Sequence, residues 1–145
     1  MIFDRSVTTD WEGGLMDGTG VAKAGTGAFS LPVSFPSRIG EPAGKTSPEE
    51  LMAAAHAACF AMALNAALGK KSAKAKKTHV TATVSADKGD AGIKIVSSKV
   101  KVVVEGLEGM TPAEFSTFVK EADKGCPVSN AYRGTMQIDV EGSAK

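Results

Sequence analysis

The chain carries two thiols, Cys59 and Cys126, and three guanidinium cations, Arg5, Arg38 and Arg133. A thiolate, not a thiol, is the nucleophile in cysteine chemistry, so what matters is what would favour the anion at either site. Cys126 lies in "KGCPVSNAY", after a glycine that can end one helix and before a proline that can start the next. A sulfur just ahead of a helix faces unpaired N–H groups and the positive end of a dipole, which favours thiolate. A small residue at a tight corner explains the same placement. Cys59 lies in the alanine-rich "AAAHAACFAMAL" and, taken alone, reads as a small buried hydrophobe whose burial raises its pKa. It becomes a nucleophile only where a cation is brought to it. Arg38, in "FPSRIG", is the candidate: a guanidinium stays charged and can hold both a thiolate and an incoming oxygen. A carboxylate would then be needed to fix its fork. His56 is three residues before Cys59 on the same helical face, as a proton donor or base, or as a packed histidine bonding a backbone carbonyl or a neighbouring subunit. The cysteines and histidines show no zinc-type pairing, so no metal is expected. There is no nucleophile elbow, P-loop or dinucleotide fingerprint, and no cofactor is expected.

The elements that must position these residues can be read from periodicity and caps. "DRSVTTDW" and a segment between Gly20 and Gly25 read as short strands, and "AFSLPVSF" alternates with period two. Pro32 places that third strand at an edge or bulge. "PSRIGEPAGK" reads as a loop. Ser47-Pro48-Glu49-Glu50 and Thr111-Pro112-Ala113-Glu114 each supply a cap, a proline and a glutamate three residues after the cap. They predict helices from Pro48 to about Leu68 and from Pro112 to near Gly125, the second amphipathic through Phe115, Phe118, Val119 and Ala122. "THVTATVSA" and "GIKIVSSKVKVVVEG" form a hairpin, with Val80, Ala82, Val84 and Ala86 inward and a phase shift near Val96 that suggests a bulge. "TMQIDVEG" closes the chain as a strand with Met136, Ile138 and Val140 on one face. The order predicts a single α+β domain over residues 1–145, with a largely antiparallel sheet packed on a long buried central helix and a second, amphipathic helix.

The 145 residues are 43% apolar and 23% charged, with 17 basic against 16 acidic side chains. Such a balance gives no global field toward nucleic acid or an anionic membrane. The lysine-rich "KKSAKAKK" has no aromatic neighbours and reads as a solvated linker. The start, "MIFDRSVTTDWEGG", lacks the pattern of a signal peptide, and a cytoplasmic, reducing location is expected. The apolar run from Leu51 to Leu68 approaches the length of a membrane span, but half of it is alanine and His56 lies within it. A helix packed on every side by protein is the better reading.

"TSPEELMAAAHAACFAMAL" followed by "GCPVSNA" resembles the OsmC/Ohr family of thiol-dependent organic hydroperoxide reductases, over essentially the whole chain. The histidine in "AAHAACF" and the arginine loop after "FSLPVSF" place it nearer the OsmC branch; the residues after Arg38, "IGEPAGK", depart from the commoner aromatic-acidic continuation. The resemblance implies that Cys59 is the peroxidatic cysteine and Cys126 the resolving one. It also implies that Arg38 activates the thiolate, that Glu49 holds Arg38, and that the fold is an intertwined homodimer with two sites at the subunit interface. Glu49 and Cys59 are ten residues apart, about 15 Å along a helix, so an Arg38–Glu49 pair beside Cys59 must fold back over the helix or come from a second chain. The expectation is that the other subunit supplies it.

The implied reaction reduces an organic hydroperoxide through a Cys59 sulfenic acid and a Cys59–Cys126 disulfide, reopened by an external dithiol. A pocket lined by Leu51, Met52, Phe60 and Met62 is expected to favour apolar substrates. The competing class is a hydrophobic-ligand-binding or redox-sensing protein that uses the same cavity without turnover.

Overall fold

The structure, a computed structural model, describes residues 1–145. The chain forms two compact units, Met1–Leu51 and Met52–Lys145.

The first unit is built on an antiparallel sheet of β1 (Val7–Glu12), β2 (Thr19–Ala24) and β3 (Ser30–Val33), in that order. Pro32 lies in the edge strand β3, where its missing N–H is tolerated, as its position in the sequence predicts. Trp11 faces Gly20 across β1 and β2, and a Cβ at Gly20 would come within 2.8 Å of the indole. The glycine thus lets the ring lie flat on the strand.

The segment expected to be a loop contains a short helix, α1 (Phe35–Ile39). Ser34 caps it by accepting from the Ser37 N–H at 3.4 Å, and Pro36 sits in its first turn. Five residues are too few to show a helical period, which is why the pattern missed it.

The next helix, α2 (Pro48–Lys70), starts where the cap predicts and runs two residues beyond Leu68. Ser47 Oγ accepts from the Glu50 N–H at 3.1 Å, while the Glu50 carboxylate accepts from the Thr46 hydroxyl at 2.8 Å. Half of the capping box therefore forms, and the glutamate ties down the preceding threonine instead. The boundary between the units falls within α2.

In the second unit β4 (Lys77–Gly89), β5 (Gly92–Glu105) and β6 (Gln137–Ala144) form a sheet in that order. Ser85 pairs with Ser97 and Ala86 with Ile95, leaving Val96 as the extra residue of the bulge. Val80, Ala82 and Val84 are partly buried; Ala86, past the bulge, is exposed. β6 runs parallel to β5, a refinement of the antiparallel expectation. A parallel neighbour needs a crossover connection. Here it carries α3 (Pro112–Ala122), a 3₁₀ turn (Asp123–Gly125) and α4 (Pro127–Tyr132). Thr111 and Glu114 complete a full capping box at α3.

The core joins Phe60, Leu64 and Leu68 of α2 to Val100, Val102 and Val104 of β5 and to Phe115 and Val119 of α3. Gly142 of β6 lies against Val119, and a Cβ there would come within 2.7 Å of a valine methyl. Because Val119 is fully buried and stiff at χ1, it cannot swing away. Gly142→Ala is expected to destabilise the protein by about 1–3 kcal/mol, read as a lower urea midpoint at constant m-value. An unchanged midpoint would show that α3 shifts freely.

Sequence patterning puts protein on every side of α2, but one chain covers only one stripe. His56, Phe60, Leu64 and Leu68, four residues apart, are its fully buried positions. Ala54, Ala55, Ala58 and Ala66 are exposed, and Met62 is 69% exposed. By length and composition alone α2 could also cross a membrane.

Candidate active site

In the first unit Arg38 occupies the last turn of α1 and Glu49 the first turn of α2. Arg38 Nε donates to both carboxylate oxygens, at 3.1 and 3.2 Å, and Nη2 donates to Oε1 at 2.6 Å. These bonds occupy the Nε side of the fork and leave Nη1 without a protein partner. The pair is largely shielded, with side chains 27% and 14% exposed. Burial alone would raise the Glu49 carboxyl; the Arg38 hydrogen bond, the residue's own backbone N–H and the guanidinium charge outweigh it, so Glu49 titrates below the ordinary carboxylate range.

Arg38 also lines an apolar cavity of about 310 Å³, walled by Trp11, Leu15, Val33, Phe35 and Leu51. Of the lining expected from the sequence, Leu51 is present. Phe60 instead belongs to the second unit's core and Met62 is exposed, because the buried stripe of α2 takes one and leaves out the other.

In the second unit the two sulfurs meet at the start of α4. Cys126 is its N-cap, fully buried, and its Sγ accepts from the Ser129 N–H at 3.4 Å. Cys59 is partly buried on α2 and lies beside the Val128 N–H, which favours its anion. Pro127 has no N–H, and the Asn130 N–H bonds the Cys126 carbonyl at 3.0 Å to begin the helical ladder. One of the first-turn N–H groups that a helix leaves unpaired, that of Ser129, is therefore taken up by the Cys126 sulfur, and a second, that of Val128, lies beside Cys59. The thiols are close enough for each to affect the other. Burial raises the Cys59 pKa; the Val128 N–H lowers it, and the Cys126 hydrogen bond and charge raise it further, so the net shift is upward.

His56 is fully buried beside this turn. Its Nδ1 lies 2.6 Å from Ser98 Oγ and its Nε2 lies 2.7 Å from Ser129 Oγ. The expected backbone carbonyl or second subunit is thus replaced by two serines of the same chain. Burial lowers its pKa and Arg133 lowers it too, against an opposing pull from Asp123. Neither serine was singled out from the sequence, although a signal for Ser98 was there. It falls on the same inward phase of β5 as Val100, Val102 and Val104, and a polar side chain on an apolar register needs a partner. Arg133, one of the three guanidinium cations in the sequence, pairs at 2.6 Å with Asp123, a partner that the sequence does not mark. No three His, Cys, Asp or Glu side chains are grouped to hold a metal ion.

The family model for OsmC-like protein matches residues 40–141, which include Glu49, both cysteines, His56 and Ser129. The chain belongs to the OsmC-like family. The peroxiredoxin OsmC of Escherichia coli K12 is 37% identical over 144 residues, covering 97% of this chain and 98% of that protein. An organic hydroperoxide resistance protein of Xanthomonas axonopodis pv. citri is 35% identical over 117 residues, 78% of each chain. Among solved structures, an organic hydroperoxide resistance protein OsmC from Legionella pneumophila superposes with a TM-score of 0.74 at 26% identity, over 95% of this chain and 96% of that one. An OsmC-like protein from Mycoplasma pneumoniae, 18% identical with a TM-score of 0.75 over 99% of each chain, shares the fold. The α+β architecture with two small sheets is thus the OsmC-like fold.

Proposed function

We propose that this OsmC-like chain is a cytoplasmic thiol peroxidase that reduces organic hydroperoxides to alcohols in peroxide defence. The observation that carries this reading is the meeting of both thiols at the first turn of α4. That arrangement supports a nucleophile with a resolving partner, and the names of the E. coli and Xanthomonas relatives support a peroxidase role. The Cys59 thiolate attacks the distal oxygen of R–O–OH; an S–O bond forms, the O–O bond breaks, and the alkoxide leaves as alcohol after taking a proton. Cys59 is then a sulfenic acid. Attack by Cys126 forms the S–S bond and releases the sulfenic oxygen as water. An external dithiol reopens the disulfide by exchange, becoming oxidised itself.

The chemistry wants a cation at Cys59, since burial and Cys126 hold its thiol protonated. Arg38, fixed by Glu49 with Nη1 free and an apolar cavity at its side, fits that task for a substrate with a greasy R group. We assign it to a second copy of the chain. The uncovered alanine face of α2 lets another protein surface approach closely, and the outward Trp11, Leu15 and Met16 of the first unit are unusual on a monomer.

Subunit mixing tests this assignment. Cys59→Ser should be inactive alone and Arg38→Met should keep at most about a hundredth of the activity, yet together they should regain about a quarter of wild-type activity on random exchange, because half of the dimers are mixed and half of their sites intact. No recovery after verified exchange would sink the shared site. Titrating thiols before and after one equivalent of cumene hydroperoxide separates the enzyme from a binder. Loss of both thiols with release of alcohol supports the peroxidase, and retention of both supports ligand binding in the cavity.

A further inference from the structure

We infer that His56 is a positioning residue for Cys126: acting through Ser129, it fixes the first turn of α4 against the helix that carries Cys59 and so sets the rate of disulfide closure. The inference rests on the two-cysteine reading above and assigns a role within it that neither sulfur explains.

Ser129 is held from two directions. Its backbone N–H reaches Cys126 Sγ at 3.4 Å, while its hydroxyl lies 2.7 Å from His56 Nε2. The other ring nitrogen lies 2.6 Å from Ser98 on β5. One imidazole therefore ties α2, α4 and β5 together, and His56, Ser98, Ser129 and Cys126 are all fully buried. Water cannot replace either bond, so loss of the ring nitrogens would leave two hydroxyls unpaired in the core.

The placement along α2 gives the tie its consequence. His56 and Cys59 are three residues apart and meet the same turn of α4: His56 bonds the Ser129 hydroxyl, and Cys59 lies beside the Val128 N–H. A second tie runs from the Tyr132 hydroxyl to the Met52 carbonyl at 3.1 Å, with the Tyr132 ring edge-on to His56 at 5.4 Å between centroids. Once Cys59 is a sulfenic acid, its contact with the Val128 N–H must change. The tyrosine tie holds the far end of α4, and the histidine tie is then the one that holds its first turn, and with it Cys126, near the oxidised sulfur. A neutral imidazole offers one N–H and one bare nitrogen, so one serine donates to the ring and the other accepts from it. A glutamine amide offers the same two functions; leucine offers neither.

The test separates the two chemical steps in the full-length protein. After one equivalent of cumene hydroperoxide, stopped-flow mixing follows sulfenic acid at Cys59 (trapped with dimedone) and closure of the Cys59–Cys126 disulfide (by mass). In His56→Leu and Ser129→Ala, sulfenic acid should form at near wild-type rate while closure slows about 10- to 100-fold, the scale on which small misplacements act. His56→Gln should restore much of the closure rate. Unchanged closure in folded variants overturns the inference, as does an equal fall in both steps without glutamine rescue. Ser129→Ala removes a single oxygen and serves where His56→Leu does not fold. Wild-type protein that consumes no peroxide would instead overturn the peroxidase reading itself.

Discussion

With Cys59 replaced by serine, hydroperoxide consumption should fall by on the order of 10⁴-fold or more, as when an enzyme's nucleophile is removed. A serine hydroxyl beside the Val128 N–H stays neutral and cannot take an oxygen atom from a peroxide. The matching change at Cys126 has a different signature. Cys126→Ser should consume one equivalent of peroxide per site, release one alcohol and then stop, with Cys59 held as sulfenic acid or driven on to sulfinic acid by excess peroxide. Mass spectrometry of the quenched protein reads the two outcomes. Continued turnover by Cys126→Ser under the same reductant would remove the resolving role, and residual turnover by Cys59→Ser would move the nucleophile elsewhere.

The second large effect belongs to Arg38. Arg38→Met keeps an unbranched side chain at the wall of the cavity but removes the charge, and kcat/KM should fall about 10²- to 10³-fold, the scale for loss of one preorganised transition-state donor. Its pH profile should change as well, in a direction fixed by the environment of Cys59. Burial raises that thiol; Cys126 adds to the rise, and only the Val128 N–H opposes it. Without the guanidinium the reactive anion is scarce at neutral pH. The variant's rate should therefore climb with pH until the thiol ionises, while the wild type levels off at lower pH. On the acid side, Glu49 stays ionised below the ordinary carboxylate range, so the wild-type pair persists through mild acid and is lost as pH falls past the lowered Glu49 value. Glu49→Gln, which keeps the shape and removes the charge, should fall between the two. A rate–pH profile that Arg38→Met leaves unchanged would mean that another group activates Cys59.

Much of this is legible in the amino-acid sequence alone. The serine–proline–glutamate start of α2, the full cap of α3, the edge position of Pro32 and the bulge at Val96 are local features, set within a few residues by backbone hydrogen bonding and alternation. The position of Cys126 at a helix start was legible for the same reason, since Gly125 and Pro127 bracket it. The α1 helix escaped because it is shorter than the period that reveals helices. Ser98 and Ser129 escaped because a hydrogen bond between residues 42 or 73 positions apart leaves no local mark.

The amino-acid sequence by itself determined the elements, their caps and the types of residue that can do thiol chemistry, because these depend on short-range sterics and on side-chain functional groups. It also carried the Arg38–Glu49 pairing as a resemblance, which the tertiary structure gives as a bidentate ion pair. Only the tertiary structure decided that both sulfurs lie at the first turn of one short helix, that a buried histidine braces the same turn, and that one face of the most apolar helix is left bare. Each of those depends on which distant surfaces meet, and a surface is apolar in sequence whether its own chain or another one covers it.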